Sequence, residues 1–223
     1  MATMATTRTV SACATVLLAA ALLTGCDRAI EGATAVAGPD LLAAAKTGEL
    51  KCTTVDAPLT QIERVDADEP TLMIPVPSGW NRLTGQDGDL LRFRMVNRDI
   101  PSVNAVPASA VAALESVGGS MEPDDIFDAE RASLVNVGVS EATMKITDHE
   151  VCGLPAQTVD YEVPASDVAA AHPGVVLFVA YKTDVRTYCA GVTVQGTEPD
   201  NPTFQRDRDQ IINGFQVFKP SSK

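Results

Sequence analysis

The runs Val175-Val176-Leu177-Phe178-Val179-Ala180-Tyr181-Lys182 and Thr187-Tyr188-Cys189-Ala190-Gly191-Val192-Thr193-Val194-Gln195, joined by Thr183-Asp184-Val185-Arg186, decide the fold class. Both have strand length, are rich in β-branched and aromatic residues, and flank a short Asp-containing turn, so they read as a β-hairpin. In the second run Tyr188, Ala190 and Val192 alternate with Cys189, which gives that cysteine the role of a small buried thiol. Upstream, Ala142 to Glu150 and Gln157 to Val163 read as two more strands between Gly- and Pro-containing turns. Downstream, Asn201-Pro202 is an N-cap followed by a proline at the first helical position, and Phe204, Ile211 and Phe215 lie on one face of a closing helix.

Working toward the N-terminus, Pro123-Asp124-Asp125 opens a second helix with proline and two acids suited to the helix dipole. Phe127, Leu134 and Val137 follow on one of its faces until Gly138 ends it. Ser102 to Ser116 carries two signals: its alanines favour helix, whereas Pro107 and the Val103/Ala105 alternation favour strand, and it is read as strand. In Thr71-Leu72-Met73-Ile74-Pro75-Val76-Pro77, Leu72, Ile74 and Val76 share a face, and the two prolines make this an edge strand or a strand end. Ser78-Gly79 then turns the chain and delivers Trp80, the only tryptophan, as a plug for one end of the core. Leu90 to Val96 is expected to pair back on that strand through the Thr84–Asp89 turn as an opening hairpin. Arg92 and Arg94, alternating with Leu91 and Phe93, read as the wet face of a half-buried strand. Strands and helices do not alternate regularly, which selects an α+β fold, an antiparallel sheet with helices packed on it.

The first 25 residues are of another kind. Arg8 is a modest positive n-region, and Ala12 to Leu23 is an apolar run too short to span a bilayer. It ends in Leu22-Leu23-Thr24-Gly25-Cys26, which resembles the bacterial lipobox: small residues fit the signal peptidase subsites and the Cys26 thiol accepts diacylglycerol. Residues 1–25 therefore read as a lipoprotein signal peptide, 26–48 as the lipidated N-terminus and a short tether, and 49–219 as one globular domain. Within the tether, Leu41 to Lys46 has the makings of a helical turn or two before Gly48. A diacylglyceryl group supplies two fatty chains, a palmitate-type anchor, and two chains give stable rather than reversible membrane attachment. The expected location is the extracytoplasmic face of the cell membrane, in the cell envelope.

Cleavage before Cys26 leaves 223 − 25 = 198 residues and removes one positive charge, taking the net charge from −12 to −13. A chain this acidic, without clustered Lys and Arg, is not built for nucleic acid or anionic lipid. Gly85-Gln86-Asp87-Gly88 is a turn, since it places an acid where a phosphate would sit. His149, flanked by Asp148 and Glu150, and His172 are the only histidines, too few for the three or four converging ligands of a zinc site, so no metal is expected. No nucleophile elbow is present and no catalytic residue is assigned. Carboxylate pairs among the 29 acids are read as solvated surface.

With the lipobox, the Ile74-Pro75-Val76-Pro77-Ser78-Gly79-Trp80 turn, the Val151-Cys152-Gly153-Leu154-Pro155-Ala156 hairpin and the closing Asn-Pro helix taken together, the chain resembles the LpqN/LpqT family of mycobacterial lipoproteins over roughly residues 50–218. The resemblance implies a PsbP-like α/β sandwich, a cell-envelope location and no catalytic apparatus, and it transfers only Cys26 as a functional position. The expected function is a membrane-anchored, non-enzymatic binding or interaction module without a cofactor, its partners being the membrane through Cys26 and envelope proteins or a glycolipid. The alternative is a carrier holding a lipid or glycolipid in an apolar pocket, and a hydrolase ranks below both.

Three cysteines remain after processing and acylation: Cys52, Cys152 and Cys189. An exported domain meets an oxidising compartment, which favours one disulfide among them. Cys189 sits inside a strand, whereas Cys52 and Cys152 flank turn-rich segments where backbones approach closely, so a Cys52–Cys152 bridge and a free Cys189 are expected.

Overall fold

The computed structural model describes residues 52–85, 87–102, 106–167 and 169–220. The expected turns at Leu41 to Lys46, and Cys26 itself, lie outside the described residues. In chain order the elements are β1 (Leu59–Ile62), β2 (Thr71–Pro75), β3 (Asn81–Arg82), β4 (Leu91–Asn97), β5 (Ala108–Gly118), α1 (Pro123–Asn136), β6 (Lys145–Val151), β7 (Leu154–Val163), β8 (His172–Lys182), β9 (Arg186–Gln195), α2 (Pro202–Gly214) and β10 (Gln216–Phe218). The strands form a seven-stranded sheet in the order β3-β4-β5-β9-β8-β7-β6 and a three-stranded sheet in the order β1-β2-β10. All pairings are antiparallel. The fold is an α+β sandwich.

The hairpin that decided the class is β8–β9, in register from Gly174 opposite Gln195 to Lys182 opposite Thr187. It lies at the middle of the large sheet, and its side chains supply both faces. Leu177, Val179, Ala190, Val192 and Val194 point toward β1-β2-β10 and α2, where they meet Ile74, Phe93, Met95, Ile211 and Phe215 in one continuous core. Val176, Phe178, Ala180 and Cys189 point the other way, onto Ile126, Phe127 and Leu134 of α1. The large sheet is thus buried on both faces at its centre, which is why its strands read as near-continuous apolar runs.

Both helices keep the ends that the sequence marks. The Asn201 Oδ1 accepts from the backbone N–H groups of Thr203 (3.0 Å) and Phe204 (3.1 Å), satisfying two donors that the first turn leaves free. At the other helix, Val139 N–H reaches the Leu134 carbonyl and Gly138 N–H the Val135 carbonyl. Gly138 adopts φ +97°, the left-handed conformation this closing motif needs and that glycine adopts without steric cost. Helix α2 buries Phe204, Ile211 and Ile212, each worth about 1.5–3 kcal/mol in removed apolar surface.

Two expectations are overturned. The Thr71 run does not pair with the Leu90 run: β2 is the middle strand of the small sheet, between β1 and β10, and β4 pairs with the two-residue β3 and with β5. The residues of β2 are buried throughout, on both faces, so it needs a partner at each side as well as above and below. Pro75 stands at the end of β2, beyond the Thr71–Met73 stretch that β10 reaches, so its missing N–H breaks no bond there. The second correction concerns Arg92 and Arg94, which are both buried rather than wet. A register shift between Leu91 and Phe93 takes Arg92 out of the alternation, and its Nη2 donates to Glu69 Oε1 at 2.5 Å. Where the helix and strand signals competed over Ser102 to Ser116, strand prevails from Ala108 onward as β5, whose alanines pack closely in the core, while Val103 and Ala105 lie outside the described residues.

Candidate functional site

Trp80 does plug the core, and it carries a polar handle there: its Nε1–H donates to Asp207 Oδ2 at 2.9 Å. Asp207 is fully buried on α2 and also accepts from Arg206 Nε and Nη2 through Oδ1. Asp207 and Trp80, like Glu69 and the Nη2 of Arg92, are turned inward and bonded to one another rather than presenting chemistry to solvent, while Arg92 Nε and Nη1 are buried without a hydrogen-bond partner among the described residues.

Cys52 and Cys152 are joined by a disulfide, and Cys189 is a free, buried thiol. Cys152 and Gly153 are the two central residues of the β6–β7 turn, which closes on the pair Val151–Leu154. Both have positive φ, +55° and +80°, as a two-residue hairpin of the twist-matching type requires. Cys152 packs with Met73 and Phe218 of the small sheet, and Cys52 lies in the same cluster. The bridge therefore ties the segment before β1 to the tip of the β6–β7 hairpin.

That hairpin is the unusual part of the surface. Lys145, Ile146, Thr147, Asp148, His149 and Glu150 are all exposed, so β6 is wet on both faces for six consecutive residues. Cross-strand contacts keep it ordered: His149 Nε2 lies 2.8 Å from Thr158 Oγ1, and Gln157 Nε2 donates to Asp148 Oδ1 at 2.7 Å. Gln157 Oε1 in turn accepts from Arg131 on α1. The outer acids of β7, Asp160 and Glu162, are exposed as well, which leaves this end of the sheet predominantly acidic. The sequence signal was present but unread: Lys-Ile-Thr-Asp-His-Glu holds one apolar residue and so has no face to bury.

Neither histidine sits among metal donors. His172 is buried with Nδ1 2.9 Å from the Ala170 carbonyl oxygen, far along the chain from His149 and on another strand. Among the described residues no three His, Cys, Asp or Glu side chains converge as a metal group would need. Sequence reading also passed over Glu115 and Glu130, which approach Cys189 from β5 and α1. Burial first, and then the charge of Glu115, raise the Glu130 carboxyl to about 7, although a hydrogen bond with the thiol opposes this. Glu115 is likewise raised by burial. Burial and the two acids push the Cys189 thiol well up, so it stays protonated and unreactive.

The family model described as "probable lipoprotein LpqN" matches residues 53–218, which takes in every strand and both α-helices of the described residues. The chain belongs to the Lpp-LpqN family. Among solved structures, the Lpp-LpqN chain is similar to LpqN of Mycobacterium tuberculosis, a protein described as involved in cell envelope biogenesis. The identity is 15%, the TM-score 0.56, and the match covers 74% of this chain and 92% of that one. At that identity the likeness concerns the fold. No curated protein sequence matches significantly. Among the described residues of this Lpp-LpqN member no helix is long and apolar enough to cross a membrane.

Proposed function

We propose that this Lpp-LpqN member is a cell-envelope lipoprotein, anchored through Cys26 on the extracytoplasmic face of the membrane, that works as a non-enzymatic binding or interaction module in envelope biogenesis. The observation that carries the reading is the filled core beneath an open polar surface. The space between the two sheets is occupied by Phe93, Met95, Leu177, Ile211 and Phe215, each essentially without exposure. The pocket at the α2 rim, lined by Asp160, Tyr161, Phe204 and Arg208 among others, holds about 60 Å³, against the roughly 300–1,000 Å³ of sites for drug-sized ligands. That pocket is too small for an acyl chain, and the filled space between the two sheets favours surface recognition over carriage of a lipid or glycolipid.

Mass spectrometry of the protein purified from its native envelope tests this. Co-purifying protein at near-equal amounts is expected; a stoichiometric lipid in its place would move the function to the carrier. For the anchor, Cys26→Ala is expected to abolish incorporation of an alkyne fatty acid, and equal labelling of both proteins would refute the assignment.

A further inference from the structure

We propose that the free edge of β6 is a docking strand for an extended, basic segment of a partner protein, which adds to the seven-stranded sheet antiparallel to β6. This rests on the reading of the protein as an interaction module and names the surface it uses. The large sheet ends in two different ways. At one side it closes with β3, only two residues long, a length that blunts an edge against further pairing. At the other it ends with β6, seven residues in unbroken register with β7, without proline or bulge. Among the described residues nothing pairs with its outer side.

The register says which groups are offered. Because the two-residue turn closes on Val151–Leu154, the hydrogen-bonded pairs with β7 fall at Val151, His149, Thr147 and Lys145. The N–H and C=O groups of Ile146, Asp148 and Glu150 then point away from the sheet, three donors and three acceptors in a row. The disulfide at Cys152 fixes the turn from which this strand runs, so the edge is ordered before any partner arrives, which lowers the entropy lost on binding.

Side chains select the occupant. Residues directly opposite in an antiparallel pair share a face, and the side chains of the three outward-bonding residues are apolar, acidic and acidic in order. A second copy is disfavoured, because pairing β6 on itself about Asp148 sets Asp148 against Asp148, and like charges directly opposite are destabilising. A partner strand with the pattern basic, any, basic, any, apolar, set opposite Glu150, Asp148 and Ile146 in turn, meets each with its complement. Thr147 and His149 on the other face suit β-branched polar residues at the intervening positions. Strand addition of this kind draws affinity from main-chain bonds and specificity from alternate side chains.

The probe is acetyl-Thr-Arg-Thr-Arg-Thr-Val-Thr-amide, with acetyl-Thr-Glu-Thr-Glu-Thr-Val-Thr-amide as control, and the readout is residue-resolved amide hydrogen exchange on the folded domain. At ten times its Kd the basic peptide is expected to slow exchange of the Ile146, Asp148 and Glu150 amides by about tenfold, while the acidic peptide leaves them unchanged. Ile146→Pro removes one outward donor and is expected to abolish this protection. A D148K/E150K chain, whose backbone edge is intact, is expected to exchange preferences and protect with the acidic peptide. Exchange unaffected by either peptide, or identical responses to both, overturns the docking strand. If the native envelope yields a protein partner whose binding survives both Ile146→Pro and D148K/E150K, the edge is wrong while the interaction module stands.

Discussion

The two faces of the seven-stranded sheet are covered to different depths. Toward β1-β2-β10 and α2, a second sheet and a helix seal the surface, and the charged groups caught beneath them each meet an opposite or donating group, Asp207 the Trp80 indole and Glu69 the Nη2 of Arg92, although Arg92 Nε and Nη1 stay without a partner among the described residues. Toward α1, one helix rests on the sheet through Ile126, Phe127 and Leu134, and at its margin Glu130 and Glu115 stand partly buried with no basic partner among the described residues. Complete cover demands paired polar groups, since an unpaired buried charge is costly. Partial cover permits a carboxyl to meet the same demand by holding its proton.

The largest break in this contrast is expected from the sealed face. Phe215→Ala, at a site 1% exposed, should cost about 3–5 kcal/mol as lost transfer energy plus cavity, read as a fall in the urea midpoint at unchanged slope. Glu69→Ala should cost nearly as much, roughly 3–4 kcal/mol, by leaving the Arg92 guanidinium buried and alone, and the double variant with Arg92→Met should recover most of it. Cys52→Ala opens a link between residues 100 apart in sequence. The loop-entropy model gives about 4–5 kcal/mol for such a link, of which roughly 2–4 should appear in thermal unfolding, because residual structure in the unfolded chain reduces the gain. Trp80→Phe keeps an aromatic ring at this buried site but gives up part of the indole's volume and removes the donor to Asp207, and the lost hydrogen bond alone should cost roughly 1–3 kcal/mol.

The smallest effect belongs to the open face and depends on pH. Glu130 has a folded pKa near 7, above its ordinary 4.5, so the native state holds the proton more tightly than the unfolded chain. Its contribution is complete below pH 4.5 and is lost as pH rises through about 7. Glu130→Gln should therefore flatten the stability profile between pH 4.5 and 7 and gain roughly 1–2 kcal/mol at pH 8, after discounting for solvent at the helix margin. Parallel profiles for the two proteins would show that the carboxyl ionises freely in the fold.

The chain's own pattern determined a good deal. Strand-rich runs at Val175 and Thr187, the Asn201-Pro202 cap and the Gly138 stop are local signals, written in propensity and capping chemistry over a few residues, and each reappears as β8–β9, the start of α2 and the end of α1. Pairing partners are another matter. Whether β2 lies beside β4 or between β1 and β10 depends on which surfaces remain uncovered once the large sheet has formed, and β10 reaches it only because α2 brings the C-terminus back. Arg92 looked solvated because alternation assumes an unbroken register, and a single irregularity between Leu91 and Phe93 sent it inward. The open edge of β6 was spelled out as Lys-Ile-Thr-Asp-His-Glu, a strand with no face to bury, yet that it is an edge at all was settled by the order of seven strands, a property of long-range contacts that no local window contains.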